Sequence, residues 1–287
     1  MKNILVVGSI NMDMVITVDR VPRMGETLSG DGFMTVPGGK GANQALTMAR
    51  LSGNVKMLGC VGCDSFGAEL TCYLKESGVD TAPILKSDKN TGVALITVCN
   101  GDNTILLEKG ANYMLTPQNI LENEELFKWA DIVVMQLEIP WETVMCAAKI
   151  AKQNGCKVLL NPAPVENFKG EILEFVDIIV PNEHEGGIIL GKESATREQA
   201  KELVSEFAEK GVQAVVTLGG DGCVYYDNGD VKHQPAIEAK VVDTTAAGDS
   251  FIGGMCVAMC EDKPFSEAIE FATKVASIVV SRKGAML

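Results

Sequence analysis

The chain has 287 residues, 46% of them apolar, and a formal net charge of −13. That length and apolar content suit one large α/β domain, alone or with a small appendage, and supply an ample core. The charge offers no basic field for nucleic acid or an anionic membrane, so neither is expected as a partner; a polyanionic ligand would have to be recruited locally, by a cation or by helix N-termini.

In chain order, Ile4 to Val7 reads as a buried parallel strand that opens into the loop Gly8 to Asp13. The apolar run before Gly8 is too short for a signal peptide, and no stretch reaches the length of a membrane span, so a cytoplasmic protein is expected. Val15 to Val18 and Glu26 to Thr35 alternate apolar and polar residues, as a half-exposed antiparallel sheet would. Thr91 to Val98 and Thr104 to Leu107 flank Asn100-Gly101-Asp102-Asn103 and read as a hairpin of the same character. These pieces are assigned to a small β-sheet lid, inserted at about 14–36 and 91–108 in a single domain spanning 1–287. From Ala130 the pattern alternates: strand Ile132 to Gln136, helix Trp141 to Gln153, strands Lys157 to Leu160 and Val176 to Val180, helix Thr196 to Lys210, strand Ala214 to Leu218 and helix Ser250 to Cys260. An α/β fold follows, with a mostly parallel central sheet and helices on both faces. Ligands in such a fold bind at the carboxyl ends of the strands. Asn11, Asp13, Glu138, Asn161, Asn182, Glu185, Thr217 and Gly219 all fall there, which argues for one shared cleft. The nine cysteines are scattered and mostly embedded in apolar runs, and Cys60-Val61-Gly62-Cys63 has no second pair to complete a metal site, so free thiols are expected.

Two segments carry the chemistry. In Val242-Asp243-Thr244-Thr245-Ala246-Ala247-Gly248-Asp249-Ser250-Phe251, an apolar run (Lys240 to Val242) turns through small residues into a helix. The unpaired amides of that helix start, with its dipole, make an anion site. Asp249 in the middle of it reads either as a base that takes a proton from a hydroxyl while the amides hold a transferred phosphoryl group, or as a helix cap. In Pro37-Gly38-Gly39-Lys40-Gly41-Ala42-Asn43-Gln44-Ala45, glycines allow a turn with close approach to a ligand, and Asn43 falls in the first turn of a helix. This is not a Walker loop, since no G-x-x-x-x-G-K-[ST] is present.

Together the two segments resemble the signature regions of the PfkB carbohydrate kinases. Gly8-Ser9-Ile10-Asn11-Met12-Asp13, Asn161-Pro162-Ala163-Pro164, Pro181-Asn182-Glu183-His184-Glu185 and Thr217-Leu218-Gly219 are similar to that family too, so the resemblance covers essentially the whole chain. It implies that Asp249 is the base and that the amides of Ala246, Ala247 and Gly248 form the anion hole. It implies a sugar site of Asn11, Asp13, Gly39, Lys40, Gly41, Asn43 and Glu138 beside Asp249. For the nucleotide, ATP, it implies Asn182, Glu185, Thr217, Gly219, Gly220, Gly222, Gly248 and Thr273, with Glu185 supporting Mg²⁺ through ordered water. A monovalent-cation site for K⁺ is implied by Asp243 and the backbone of Thr245 on one side and Val279, Arg282 and Gly284 on the other. Read as residues alone, Asp13 also suits a loop cap, Glu138 an N-terminal helix charge, and Asn182 with Glu185 a capping box compatible with the other role. The sequence departs from the family pattern at Cys63, where relatives often carry an acid, and at Leu287, beyond which relatives continue for a strand and a terminal helix.

The implied reaction is ATP-dependent phosphorylation of D-ribose at its 5-hydroxyl. The alternatives are a kinase for 2-deoxyribose, another sugar or a nucleoside, and, more distantly, a non-catalytic sugar sensor. A purine nucleoside would need an aromatic-lined slot, and only 5% of residues are aromatic. An NAD-dependent dehydrogenase is disfavoured because Val7-Gly8-Ser9-Ile10-Asn11 lacks G-x-G-x-x-G. The lid should expose one apolar face (Val15, Val18, Phe33, Leu95), so a homodimer joined through the lids is expected.

Overall fold

The structure is a computed structural model that describes residues 2–99, 102–194 and 196–282. Its first half runs β1 (Asn3–Val7), β2 (Asn11–Thr17), β3 (Asp31–Gly38), α1 (Lys40–Arg50), β4 (Asn54–Leu58), β5 (Cys60–Gly62), α2 (Ser65–Glu76), β6 (Leu85–Ser87), β7 (Gly92–Cys99) and β8 (Asp102–Glu108). Then follow α3 (Pro117–Glu122), α4 (Glu124–Trp129), β9 (Ile132–Met135), α5 (Trp141–Gln153), β10 (Lys157–Leu160), β11 (Ile178–Ile179), α6 (Glu183–Leu190) and α7 (Arg197–Glu209). The chain closes with β12 (Gln213–Thr217), β13 (Cys223–Asp227), β14 (Asp230–Gln234), α8 (Ala247–Cys260) and α9 (Phe265–Val280).

The main sheet has the order β14-β13-β12-β11-β10-β9-β1-β4, parallel from β4 to β12 and antiparallel at the β13–β14 edge. Strand alternation splits the core in two. Leu5 and Val7 pack on one face with Phe127, Val144 and Phe207, whereas Ile4 and Val6 pack on the other with Leu46, Met255 and Ile269. Helices on both faces remove apolar side chains from water, at roughly 1.5–3 kcal/mol for each fully buried aliphatic residue. Helix α5 takes the expected bounds because Val144, Ala147, Ala148 and Ala151 share one buried stripe. Helix α7 starts at a Thr196–Gln199 capping box and buries Ala200, Leu203, Val204 and Phe207. Among the described residues no helix is long and apolar enough to cross a membrane.

The second sheet, β3-β2-β7-β8, is the lid, and it corrects three expectations. It is mixed rather than antiparallel, because the two strands that leave the main domain, β2 and β7, run side by side in the same direction. It begins at Asn11 and ends its second strand at Gly38, but 26–30 is not a strand. There the Glu26 carboxylate pairs with Arg20 and accepts the Arg23 amide (2.9 Å), folding the segment on itself. Nor do the four residues expected to share an apolar face do so. Met14 lies opposite Leu95, and Val15 opposite Ile96, so Val15 points to the Asp13 side while Leu95 points away. The hairpin turn Asn100-Gly101 lies outside the described residues.

One further expectation shortens. Val176 to Val180 forms only the two-residue β11, followed by Pro181, which has no amide to donate to a ladder. Lys240 to Val242, the apolar run before the turn, is an exposed connection, tied to the end of α9 by Val242 N donating to Val280 O (2.7 Å). One junction fastens the lid to the main domain. Asp64 caps α2 by accepting from Gly67 N (2.8 Å), and its carboxylate also accepts from Thr91 N (2.7 Å) and Thr91 Oγ1 (2.6 Å), one residue before β7.

Candidate active site

The site forms where the chain leaves the main sheet for the lid. Between β1 and β2, Ser9 and Ile10 form a ledge on which the N-terminus of α1 rests: Ala42 N donates to Ser9 O (2.9 Å) and Gly41 N to Ser9 Oγ (3.3 Å). A Cβ on Gly41 would sit 2.7 Å from Ser9 N, and one on Gly39, whose φ is +91°, 2.7 Å from Asn11 N. These glycines are therefore required by chain-to-chain packing as well as by any ligand. Gly38 leaves the space that the Asp13 carboxylate fills.

The polar side chains converge on this ledge. Glu138, just past β9, accepts from Ser9 Oγ (2.5 Å) and from Lys40 N (3.3 Å). Asn11 Oδ1 accepts from Asn112 Nδ2 (2.6 Å), and Asn112 Oδ1 accepts from Ile10 N (2.9 Å). Asn112 is buried in a single 3₁₀ turn (Gly110–Met114) that sequence reasoning missed; a lone Asn in an aperiodic loop gives no signal. Asp249, at the start of α8, is only 7% exposed, and both its oxygens are held from α1: Oδ2 by Asn43 Nδ2 (3.2 Å) and Oδ1 by Gln44 Nε2 (2.8 Å).

Three acids thus share a small buried volume with one cation. Burial, then the negative charges of Glu138 and Asp249, push the Asp13 carboxyl up to about 7, against the pull of Lys40. Burial also raises Asp249, opposed by Lys40 and by the amides of Gln44 and Asn43. Burial disfavours the charged form of Lys40, yet Asp249, Glu138, Glu185 and Asp13 together hold its ammonium above the ordinary value. Lys40 is therefore a charged tether at the centre of the acids and not a solvated surface residue.

The other wall is made of backbone. Ala246 takes the left-handed conformation (φ +58°) that turns the chain into α8, with no side chain capping the helix. Of the three amides expected to form the anion hole, that of Ala247 is engaged with Thr244 O at 3.2 Å, a long bond with which a phosphoryl oxygen would compete; Gly248 is exposed at the same helix start. Gly219 (φ +54°), Gly220 and Gly222 (φ +87°) form the turn after β12, and Thr217 N donates to Pro181 O (3.0 Å), placing that turn beside Asn182. Asn182 and Glu185 make the capping box at the start of α6, with bonds of 2.9 and 2.8 Å, and burial raises the Glu185 carboxyl despite the Asn182 amide and Lys40. Thr273 differs from expectation: it is buried in α9 with its hydroxyl on Ile269 O (2.9 Å), so it offers no donor to a nucleotide in this arrangement.

Asp243 and Thr245 are brought against the end of α9, since Asp243 N donates to Val280 O (3.2 Å) and Thr245 N to Asp243 Oδ1 (2.9 Å). The Val279 carbonyl there accepts from Arg282 N (3.0 Å), whereas Gly284 lies outside the described residues. Among the described residues no three acidic, His or Cys side chains converge to hold a metal ion, and all nine cysteines are free thiols.

A buried carboxylate at the start of a helix, facing a cleft lined by acids, amides and one lysine, defines a class of protein: a phosphotransferase that acts on an alcohol. The comparisons narrow the class. The family model described as pfkB family carbohydrate kinase matches residues 1–287, and the chain belongs to that family. It is 42% identical over 287 residues to a ribokinase of Haemophilus influenzae, covering 99% of this chain and 94% of that protein. It is 35% identical over 286 residues to a deoxyribokinase of Salmonella typhimurium, covering 98% and 94%. The solved structure of Arabidopsis thaliana ribokinase complexed with ribose and ATP superposes with a TM-score of 0.92 at 34% identity, covering 99% of this chain and 95% of that one.

Proposed function

We propose that the protein transfers the γ-phosphoryl group of ATP to the 5-hydroxyl of D-ribose, giving ribose 5-phosphate and ADP. The observation that carries this reading is the position of Asp249, which touches the sugar-side amide Asn43 while standing at the first turn of α8. The likeness to ribokinases over the whole chain supports ribose as the acceptor. In the reaction Asp249 takes the hydroxyl proton as the new O–P bond forms and the bond to ADP breaks. Asn11, Asp13, Asn43 and Glu138 grip the other hydroxyls, and Lys40 reaches the transferred group or the acids that surround it. The amides of Ala246, Ala247 and Gly248 take up the charge on the phosphoryl oxygens.

Mg²⁺ suits the residues present: one carboxylate, Glu185, lies close enough to Lys40 to act on its charge, and this ion would need few protein ligands because it keeps several waters while neutralising phosphate charge. K⁺ suits the junction of Asp243 and Thr245 with the end of α9, where backbone carbonyls gather. A cytoplasmic location accords with nine unpaired cysteines. A homodimer through the lids is supported by exposed apolar side chains on that sheet, Phe33 at 65% and Leu106 at 72% among them. A monomer by light scattering at micromolar concentration would remove that claim. The reaction itself is tested by a coupled kinase assay over pentoses, hexoses and nucleosides: ribose should give the highest kcat/KM. A clear preference for 2-deoxyribose, the named substrate type of the Salmonella relative, would replace this reading.

A further inference from the structure

We infer that Gln44 is a positioning residue for the base, and that Gln136 buttresses Gln44 from behind by donating to its amide oxygen. The inference rests on the reading of Asp249 as the base.

Gln44 is completely buried on α1. Its Nε2 donates to Asp249 Oδ1 (2.8 Å) and, more weakly, to Asn161 Oδ1 (3.3 Å). Asn161 is itself fixed, donating to Val180 O (3.1 Å). Gln44 Oε1 accepts from Gln136 Nε2 at 2.6 Å. The chain of bonds therefore has a direction, from Gln136 through Gln44 to Asp249.

A side-chain amide presents a donor at one end and an acceptor at the other. Were Gln44 turned over, its oxygen would face the Asp249 carboxylate. Two acceptors, Asp249 Oδ1 and Asn161 Oδ1, hold the Gln44 nitrogen toward the carboxylate, and the donation from Gln136 Nε2 to Gln44 Oε1 completes that arrangement. Gln136 is left with a cost: its own Oε1 is buried and has no hydrogen-bond partner among the described residues. A buried orphan acceptor destabilises a fold, so its presence calls for a reason. Gly8 is part of the same device, since a Cβ there would land on that oxygen.

Gln44 also differs from Asn43 in what a bound sugar would do to it. Asn43, 7% exposed, holds Asp249 Oδ2 and would be the donor that a sugar hydroxyl displaces. Gln44, with no exposed surface, holds Oδ1 and would remain as the donor that favours the ionised form and aims it. The charged groups facing this spot are Lys40 on α1, Asp13 on β2, Glu138 beyond β9 and Glu185 on α6; Asp249 is the only acid in the first turn of α8. Among the charged groups only Lys40 favours the ionised base, and the Gln44 and Asn43 donors act beside it.

The test uses Gln44→Met, Gln136→Met, Gln136→Glu and Asp249→Asn in the full-length protein, with kcat, KM for ribose, the pH profile of kcat and thermal midpoint as readouts. Gln44→Met should lower kcat about tenfold to a hundredfold with KM changed far less, as loss of one hydrogen bond to a charged group implies. Its acid limb should move to higher pH, because the carboxylate loses a donor that favoured its charged form. Gln136→Met should shift kcat and the limb in the same direction by less, without lowering the midpoint, since it also removes the orphan oxygen. Gln136→Glu, closer in shape, should be worse than Gln136→Met, because a carboxylate there draws the Gln44 NH₂ group away from Asp249. Unchanged kcat and acid limb in both methionine variants would overturn the inference. If Gln44→Met does not fold, Gln136→Met decides by the same criterion. An active Asp249→Asn would instead overturn the reading of the base, and an inactive one beside normal glutamine variants would sink only the positioning role.

Discussion

The two walls of the cleft are made of different material. The wall proposed to hold the sugar is side chains locked to one another: Asn11, Asn43, Asp13 and Asp249 are between 2% and 9% exposed, and most are held by a neighbour. The wall proposed for the nucleotide is backbone, turned through Gly219, Gly222 and Ala246 and largely open to solvent. The difference matches what each partner asks of a protein. A sugar is distinguished by the placing of neutral hydroxyls, which only fixed donors and acceptors can read. A polyphosphate needs charge compensation, which amides, a helix dipole and cations supply without fine placement.

The largest effect should come from the point where the walls meet. Asp249→Asn keeps the shape and removes the proton acceptor, so kcat should fall about 10²–10⁴-fold while ribose and nucleotide still bind. Retention of more than about a tenth of the rate, in a coupled assay with calorimetry for binding, would show that Asp249 only caps α8.

On the sugar wall, Asp13→Ala should raise the KM for ribose roughly tenfold to a hundredfold, at about 1–3 kcal/mol for each buried partner left unpaired. The KM for ATP should hardly move; equal damage to both would mean that the walls are not separate. Asp13 also predicts a pH dependence. Its carboxyl is raised from 3.8 to about 7 in the folded protein, so the folded form holds a proton that the unfolded form has released. That stability is fully present below the unfolded value and is lost as pH rises through about 7. The thermal midpoint of the unliganded protein should accordingly fall between these limits, and Asp13→Asn should flatten that part of the curve.

On the nucleotide wall the expected effects are milder. K⁺ should raise the rate over Na⁺ at equal ionic strength, and Asp243→Ala should abolish the preference. Equal rates in the two salts at saturating substrates would remove the cation site. Smallest is Ala246→Gly. An alanine in the left-handed region carries about 1–2 kcal/mol of strain, and glycine gives back part of that in unfolded-chain entropy. A gain of at most about 1 kcal/mol in denaturant unfolding, with activity kept, would mark this wall as tolerant; a loss of activity would show that the Ala246 methyl has a contact of its own.

The sequence made one wall far easier to read than the other residues behind it. Gly38 to Asn43 and Ala246 to Asp249 are contiguous, so their glycines and polar residues announce a turn and a helix start together. The strands and helices after Ala130 were legible for the same reason, since each carries its own apolar period. What was not legible depends on partners far away in the chain. Asn112 earns its place only against Ile10 and Asn11, and Gln136 only against Gln44, separations of about a hundred residues in each case. The lid misled for a related reason: alternation in Val15 to Val18 gives a period but not which neighbour β2 takes, and the parallel β2–β7 pairing set the faces.

The Asp64 junction has a mechanical consequence. With Thr91 pinned through its amide and hydroxyl, and Gly62 N donating to the same Thr91 hydroxyl (3.0 Å), the foot of β7 is welded to the main domain. The foot of β2 is held at Ile10 by Asn112, and the foot of β3 passes into α1 through Gly38 and Gly39. The feet of these three strands lie side by side at one end of the sheet, so a lid that moved against the main domain would have to turn about the line that joins them. Such a turn would carry the opposite end of the sheet farthest and leave Asn11 and Asp13, next to that line, nearly in place.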